Sequence, residues 1–398
     1  MKLKPLVCLS LIKLVGSFAL MTQAQTFSVI HRFTGVEGRY PEAGVTVRGN
    51  SLYGTAFEGG NSFGSVYEVQ RVGSDWVTVP LYLFGAGEGG SPMTRVVFGP
   101  DGHLYGATYF GGPGFGTVFD LIPPLTICKT ANCFWKENVL DNFMDGADPF
   151  GDLVWDDEGD IYGTLALGGA YGYGFVYELT KSGNNWTETP IYSFYGTTTG
   201  DSPEGGVVLD SHGNLFGTTY GGPSHYGTIF ELKFINGSWV ETFRYDFQNG
   251  SDGRYPMSGL AFDSSGNLYG ATSEGGNGNG GTIFELSQSG DSWTFNLLYS
   301  LSALQDSKNC GPWRALTVDA GNLYGTTYCD GPNNLGNVFK LTNTQNGWVY
   351  TSLHDFTGGQ DDGANPRSEV AIDTGGHLYG TTTFGGLQDF GVVWRISQ

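Results

Sequence analysis

One position that recurs seven times along the chain carries a small residue four times and a charged residue three times. The charged residues are of types that suit the binding or cleavage of sugars. Seven prolines recur along the sequence, and the third residue after each is, in order, Gly44, Arg95, Asp152, Gly206, Gly259, Ala315 and Glu369. Two carboxyls with different surroundings can act as acid and base in glycoside cleavage, and an arginine can stabilise developing negative charge. The alternative that needs no ligand is an Arg95–Asp152 ion pair with Glu369 solvated.

A second candidate set combines arginine with aromatic residues in the segments around the same prolines. Its members are Arg39, Tyr40, Arg254, Tyr255, Trp313, Arg314 and Arg367, accompanied by Glu204. Arginine beside an aromatic ring suits sugars or carboxylated glycans, through bidentate hydrogen bonds and stacking. We predict a ligand site that combines this set with the three charged residues.

Other catalytic or metal-binding patterns are absent from the sequence. It contains no Ser-His-Asp set, nucleophile elbow or metal-binding helix motif. Gly-rich segments carry Asp145, Asp148, Asp201, Asp252, Asp361 and Asp362. Their spacing differs from the EF-hand loop, so we expect solvated acidic loops and no cofactor, with calcium as the alternative.

A sevenfold repeat must position these residues. A Leu/Ile-aromatic-Gly-Thr/Ala motif recurs with its glycines at 54, 106, 163, 217, 270, 325 and 380, which are 52 to 57 residues apart. Each repeat contains four short runs typical of strands: a after the proline, b at the motif, c after a Gly-rich loop, and d beginning at tryptophan. Seven units of four strands predict an all-β, seven-bladed β-propeller over residues 25–398.

The chain ends predict how the ring closes. Residues 26–33 resemble a strand d, whereas the last repeat stops after its strand c. We expect the N-terminal strand to complete the last blade, because this closure leaves no exposed sheet edge.

The repeated aromatic residues are better explained by packing than by ligand binding. The motif rings are Tyr53, Tyr105, Tyr162, Phe216, Tyr269, Tyr324 and Tyr379, and the tryptophans of strand d are Trp76, Trp135, Trp186, Trp239, Trp293 and Trp348. A ring present in every blade is expected to pack between neighbouring sheets.

Strand alternation places the b–c and d–a loops on one face of the ring and the a–b and c–d turns on the other. The b–c/d–a face carries the longer and more variable loops, so we expect binding there. Cys310 and Cys329 fall on that face in one blade and are predicted to form a disulfide. Cys128 and Cys133 share a c–d loop and are predicted to pair locally, since no cysteine or histidine cluster has zinc spacing.

The net charge bears on the class of partner, and the N-terminal segment predicts an exported protein. The net charge is −20, which disfavours nucleic acid as a partner because phosphate binding needs clustered Lys and Arg. Residues 1–24 resemble a signal peptide, with Lys2 and Lys4 before an apolar stretch. No second apolar span follows, so we expect a soluble, monomeric protein in the periplasm or the medium.

The recurring Gly-Asn-Leu-Tyr-Gly-Thr-Thr, Gly-Gly and Gly-Thr-Val-Phe-Glu-Leu elements are similar to those of the GloVer tandem-repeat family of secreted bacterial proteins. The resemblance covers nearly the whole chain after the leader. It implies an extracytoplasmic propeller-like repeat protein and supplies no catalytic residues.

Three functional hypotheses follow. The first is a non-enzymatic propeller that binds a ligand, such as a glycan or cell-envelope polymer, on the b–c/d–a face. The second is a secreted glycan hydrolase or lyase that uses Asp152 and Glu369. The third is an extracellular protein-interaction scaffold. A propeller fold does not by itself choose among them.

Overall fold

The computed structural model describes residues 25–85, 87, 89–112, 114–125, 133–183, 185–290, 292–302 and 309–397. The predicted signal peptide lies outside this part, so it stays a prediction. The described residues form strands, turns and loops without a helix, and accordingly they contain no helix that could cross a membrane.

Seven antiparallel sheets form the blades of a β-propeller, each with strands in the order a-b-c-d, as predicted. Blades 1 to 3 contain Thr46–Arg48, Ser51–Ala56, Ser65–Val72 and Asp75–Leu83; Val97–Phe98, Leu104–Phe110, Thr117–Ile122 and Lys136–Asn142; and Val154–Trp155, Ile161–Leu165, Phe175–Ser182 and Asn185–Ser193. Blades 4 to 6 contain Val207–Leu209, Leu215–Thr219, Thr228–Ile235 and Ser238–Asp246; Ala261–Phe262, Leu268–Thr272, Asn279–Ser289 and Ser292–Ser302; and Thr317–Asp319, Asn322–Thr327, Asn337–Thr344 and Gly347–Asp355.

The ring closes as predicted. Blade 7 contains Ala371–Ile372, Leu378–Thr382 and Val392–Ser397, and its fourth strand is the N-terminal Thr26–Arg32. This strand runs antiparallel to Val392–Ser397, and Phe27 pairs with Ile396. The first and the last strand of the described residues are thereby held in one sheet.

The d–a loop that enters a blade is joined to the b–c loop of that blade. Short strands make this link at Gly90–Pro92 with Leu104–Phe110, Gly146–Ala147 with Leu167–Gly168, and Gly363–Ala364 with Phe384–Gly385. Isolated bridges make it at Arg39 with Glu58, Asp201 with Gly221, and Arg254 with Glu274. In blade 6 the link is the Cys310–Cys329 disulfide. The two kinds of loop therefore share one face, and the predicted disulfide is confirmed.

Aromatic side chains pack between adjacent blades, as predicted for the repeated rings. The Tyr162 ring lies 6.0 Å from that of Trp239, and Tyr379 lies 6.1 Å from Trp76. In both pairs a ring on strand b contacts the tryptophan on strand d of the next blade. These rings belong to the core.

The glycine of the repeated motif is required by a ring on strand c. A Cβ atom on Gly217 would lie 2.5 Å from Cζ of Phe230, which is fully buried. The equivalent Gly163 faces Tyr177, where the same atom would lie 2.3 Å from the hydroxyl oxygen. Any side chain here would overlap the core, because buried rings have no space into which to move.

Candidate functional site

The structure brings the three charged residues together inside the central channel. Arg95 Nε donates a 2.9 Å hydrogen bond to Asp152 Oδ2, and the Arg95 backbone N–H donates one of 2.9 Å to Oδ1. The same Nε lies 3.9 Å from Glu369 Oε2. Although Asp152 and Glu369 come from blades 3 and 7, a single arginine contacts both carboxylates. Arg95 thus brings together two acids that come from blades three positions apart around the ring.

The side chain of Glu369 is largely buried, so the alternative in which it is solvated is wrong. Its side chain is 12% exposed, and Oε2 accepts the backbone N–H of Gly44. Burial raises the pKa of Glu369, and the neighbouring charge of Asp152 acts in the same direction. The position faces the channel interior, where Glu369 lines a cavity together with Arg95 and Asp152.

Arg314 crosses the channel above this cluster. Its guanidinium donates hydrogen bonds to the carbonyl oxygens of Met93 (2.7 Å), Glu42 (3.3 Å) and Phe150. The equivalent position, two residues after the proline, is small or hydroxylated in the other blades: Ala43, Thr94, Gly151, Gly205, Ser258 and Ser368. Arg314 lines the cavities on both of its sides, so it separates an outer pocket from the channel interior.

The outer pocket is built from the residue that directly follows each of the seven prolines. Its volume is about 240 Å³, and its lining residues are Glu42, Met93, Phe150, Glu204, Met257, Trp313 and Arg367, with Arg314 at its base. We call this cavity the axial pocket. It lies at the ends of the d–a loops, on the face predicted to bind.

Sequence reasoning placed part of this ring and missed the rest. Trp313, Arg314 and Arg367 were predicted as ligand-binding residues and do line the pocket. Glu42, Met93, Phe150 and Met257 were not predicted. The signal was nevertheless present, because each of these residues stands directly after one of the repeated prolines.

Polar groups on opposite walls give the axial pocket two different carboxyls. Glu42 is paired with Arg367, with Nη1 and Oε2 3.1 Å apart. Burial raises the pKa of Glu204 to about 7; the Arg314 guanidinium opposes this shift and the charges of Asp148 and Asp201 add to it. Glu204 thus exchanges a proton near neutral pH, whereas Glu42 is held in an ion pair.

The indole ring of Trp313 is held in place by contacts on two sides. Its indole N–H donates a 2.8 Å hydrogen bond to the Asn309 carbonyl oxygen, and the Arg367 guanidinium lies 4.3 Å from the ring centre. The Tyr328 ring is 4.9 Å away. These contacts hold the indole at one orientation beside the pocket.

The two Gly-Arg-Tyr-Pro segments are not among the lining residues of the axial pocket. Arg39 pairs with Glu58 at 2.6 Å, and Arg254 pairs with Glu274 at 2.6 Å. Each arginine thereby joins its d–a loop to the facing b–c loop. Tyr255 stacks on Tyr220 with ring centres 4.6 Å apart, and the Tyr40 ring lies 5.8 Å from that of Phe390. The structure gives these four predicted residues contacts within the loops.

The loop carboxylates accept hydrogen bonds from their own turns. Asp252 accepts the backbone N–H groups of Gln248 (2.8 Å) and Gly250 (3.0 Å), and Asp362 accepts those of Thr357 (3.0 Å) and Gly363 (2.8 Å). In the described ranges, no group of three or more His, Cys, Asp or Glu residues could hold a metal ion. Calcium binding stays untested, as does the Cys128–Cys133 pair, because Cys128 lies outside the described residues.

Solved structures with a similar fold include a GH74 enzyme and a polysaccharide lyase. An ancestral GH74 enzyme aligns with 93% of this chain at 14% identity and a TM-score of 0.57, and this chain spans about half (48%) of its length. A PL25 ulvan lyase aligns over 93% of this chain and 95% of its own, at 11% identity and a TM-score of 0.52. At these identities the likeness establishes the fold alone.

Sequence comparisons identify the family. Comparison with curated proteins gives no match. The model of the Gloeobacter/Verrucomicrobia repeat matches residues 90–262, 129–310 and 240–398, which together exceed half of the chain. The chain therefore belongs to the Gloeobacter/Verrucomicrobia repeat family.

Proposed function

We propose that this protein binds a glycan in the axial pocket and does so without cleaving it. The observation that carries the proposal is the ring of residues after the prolines, whose charge, size and polarity differ from blade to blade. Trp313, Phe150, Met93 and Met257 supply apolar contact, and Glu204 supplies a hydrogen-bonding group. A concave apolar wall with a few polar groups is typical of small-molecule sites.

The size of the pocket limits the ligand to a small unit. Its volume of about 240 Å³ is below the roughly 300–1,000 Å³ of pockets for drug-sized molecules. One sugar ring or one chain end fits this space. The Arg314 partition prevents the ligand from passing into the channel, so we propose end-on binding.

The setting of the site supports an extracytoplasmic role. The Cys310–Cys329 disulfide is compatible with an oxidising compartment, where such bonds persist. Residues 1–24 would supply export. A site outside the cytoplasm would have access to soluble and surface-bound glycans, and the polysaccharide lyase of similar fold supports this ligand class.

A glycan array probed with purified residues 25–398 tests the proposal. We expect specific hits, and Trp313→Ala should lose them because it removes the fixed indole. Phe234→Ala is the matched control, since that ring is 61% exposed at the c–d end of blade 4. An array without hits, or a Trp313→Ala variant that binds like the wild type, would refute the axial site.

A second candidate function, glycan cleavage, rests on the two carboxyls of the pocket. Glu204, with a pKa of about 7, would donate a proton at neutral pH, and the carboxylate of Glu42 is paired with Arg367. Carboxyls whose surroundings differ in this way can divide acid and base roles. A reducing-end assay on each array hit tests this function. If the Glu204→Gln variant forms no product, the result supports cleavage in the axial pocket. If only the Glu369→Gln variant forms no product, the result favours the inner Asp152–Glu369 pair.

A further inference from the structure

Exposed aromatic rings are concentrated on the b–c/d–a face, at the ends of the strands and in the loops of blades 1 to 3 and the loop that leads from blade 3 into blade 4. They are Phe63, Phe110, Phe115, Tyr171, Tyr173 and Tyr195, which are 37% to 50% exposed. We call this set the aromatic strip. Two other exposed rings, Phe134 and Phe234, lie at the opposite, c–d end of their blades. Large rings left open to water on one sector of a face indicate a contact surface.

The rings of the aromatic strip are held in place before any ligand arrives. Tyr171 and Tyr195 stack with centres 3.8 Å apart, and their hydroxyls share a 2.5 Å hydrogen bond. A Cβ atom on Gly196 would lie 2.8 Å from the Tyr173 ring, so the ring rests directly on the backbone. Preorganised rings bind with a smaller loss of side-chain entropy.

The aromatic strip is continuous with the axial pocket. The Tyr109 ring lies 6.0 Å from that of Phe150, a pocket residue, and 4.6 Å from that of Phe110, a strip residue. On the blade 3 side, the Tyr173 carbonyl oxygen accepts the N–H of Ser202, two residues before Glu204. A linear ligand seated in the pocket can therefore extend outwards over these rings.

The charge pattern restricts the ligand to neutral chains. Every arginine that the described loops place on this face is already engaged: Arg39 with Glu58, Arg254 with Glu274, Arg367 with Glu42, and Arg314 with three carbonyl oxygens. Asp148 contacts Tyr109, and Asp201 precedes Ser202, whose N–H bonds to Tyr173, so both acids lie beside the strip and would repel carboxylated or sulfated polymers. The earlier expectation that these arginines suit carboxylated glycans is disfavoured by these pairings.

We propose that the aromatic strip binds the body of a neutral polysaccharide whose end occupies the axial pocket, an inference that rests on the proposed function. Sugar rings present flat C–H faces that pack on aromatic rings, and their hydroxyls match tyrosine hydroxyls. From strand a to strand d a blade spans about 14 Å, given strand spacings of about 4.8 Å. A short oligosaccharide has about this length, so we expect the axial pocket and the aromatic strip together to bind several sugar units.

The test uses neutral gluco-, manno-, galacto- and xylo-oligosaccharides of one to six units, together with oligogalacturonates of equal length. We expect binding to neutral chains only, with affinity that rises with chain length. Replacing both Tyr171 and Tyr195 with Ala should reduce hexasaccharide affinity roughly tenfold and bring it towards that of the monosaccharide. Phe115→Ala is a second, independent strip variant, and Phe234→Ala is the control.

The outcomes separate this inference from the proposed function. Hits that do not depend on chain length, that resist the strip variants, or that favour oligogalacturonate would overturn the strip and leave the pocket standing. No binding by any neutral or acidic chain would overturn both. Thermal melting of each variant shows whether a loss of affinity reflects a loss of fold.

Discussion

A 2.7 Å hydrogen bond joins Nη2 of Arg314 to the carbonyl oxygen of Met93, although the two residues belong to blades 6 and 2 on opposite sides of the ring. The same guanidinium reaches Glu42 and Phe150. One side chain thus ties four blades together at the channel axis and forms the base of the axial pocket.

Replacing Arg314 with Ala should therefore destabilise the ring. Three carbonyl oxygens lose a charged hydrogen-bond donor, and water that enters the channel restores only part of this hydrogen bonding. We therefore expect a loss of about 2–4 kcal/mol in the free energy of unfolding. Urea denaturation measures it. Arg244→Ala is the control, because Arg244 also donates to a carbonyl, that of Thr198, from an exposed position. Equal losses in both variants would contradict the role given to Arg314.

Glu204 should make stability depend on pH. Its pKa is about 7 in the folded protein against 4.5 for an ordinary glutamate, so the folded state keeps its proton when the unfolded chain has lost it. The contribution of Glu204 is fully present below pH 4.5 and is lost as the pH rises through 7. Melting curves from pH 4 to 8 should show a steeper fall for the wild type than for Glu204→Gln. Parallel curves would show that Glu204 titrates normally.

The motif glycines should not tolerate a methyl group. In Gly217→Ala, the new Cβ would meet Phe230 at 2.5 Å and the Gly206 carbonyl oxygen at 2.8 Å. Overpacking of this kind costs about 1–3 kcal/mol. Gly359→Ala is a suitable control, since its Cβ would meet only Thr357, at 3.9 Å. Chemical denaturation of both variants checks the difference, and a Gly217→Ala protein as stable as the control would disprove the packing explanation.

The fold could be predicted because several sequence markers recur together with the same spacing. The motif glycine and the aromatic before it recur in all seven blades, and the tryptophan of strand d recurs with them in blades 1 to 6, so each has the same structural reason wherever it occurs. The surplus N-terminal strand and the missing last strand likewise had one solution, which Thr26–Arg32 confirms. Strand alternation also brought Cys310 and Cys329 to one face.

The site was harder to predict because it depends on residues that break the repeat. The shared position three residues after the proline singled out Arg95, Asp152 and Glu369 as one set, but it did not indicate that Arg95 would contact both acids. The reach of Arg314 across the ring, and the pairing of Arg254 with Glu274, depend on side-chain directions that spacing does not encode. A long arginine can point to ligand, solvent or protein, and only packing selects among these.

The disulfide should support both stability and the pocket. Cys310 and Cys329 are 19 residues apart, and closing such a loop contributes about 3 kcal/mol. Asn309, next to Cys310, accepts the indole N–H of Trp313. Replacing both cysteines with Ser should therefore lower the melting temperature and weaken glycan binding through the loosened indole.

Adding reductant to the wild type should reproduce both effects. Reductant added to the double variant is the control, because any further change must come from Cys128 and Cys133. If the double variant melts earlier but keeps full affinity, the Trp313 orientation depends on Arg367 and Tyr328 instead.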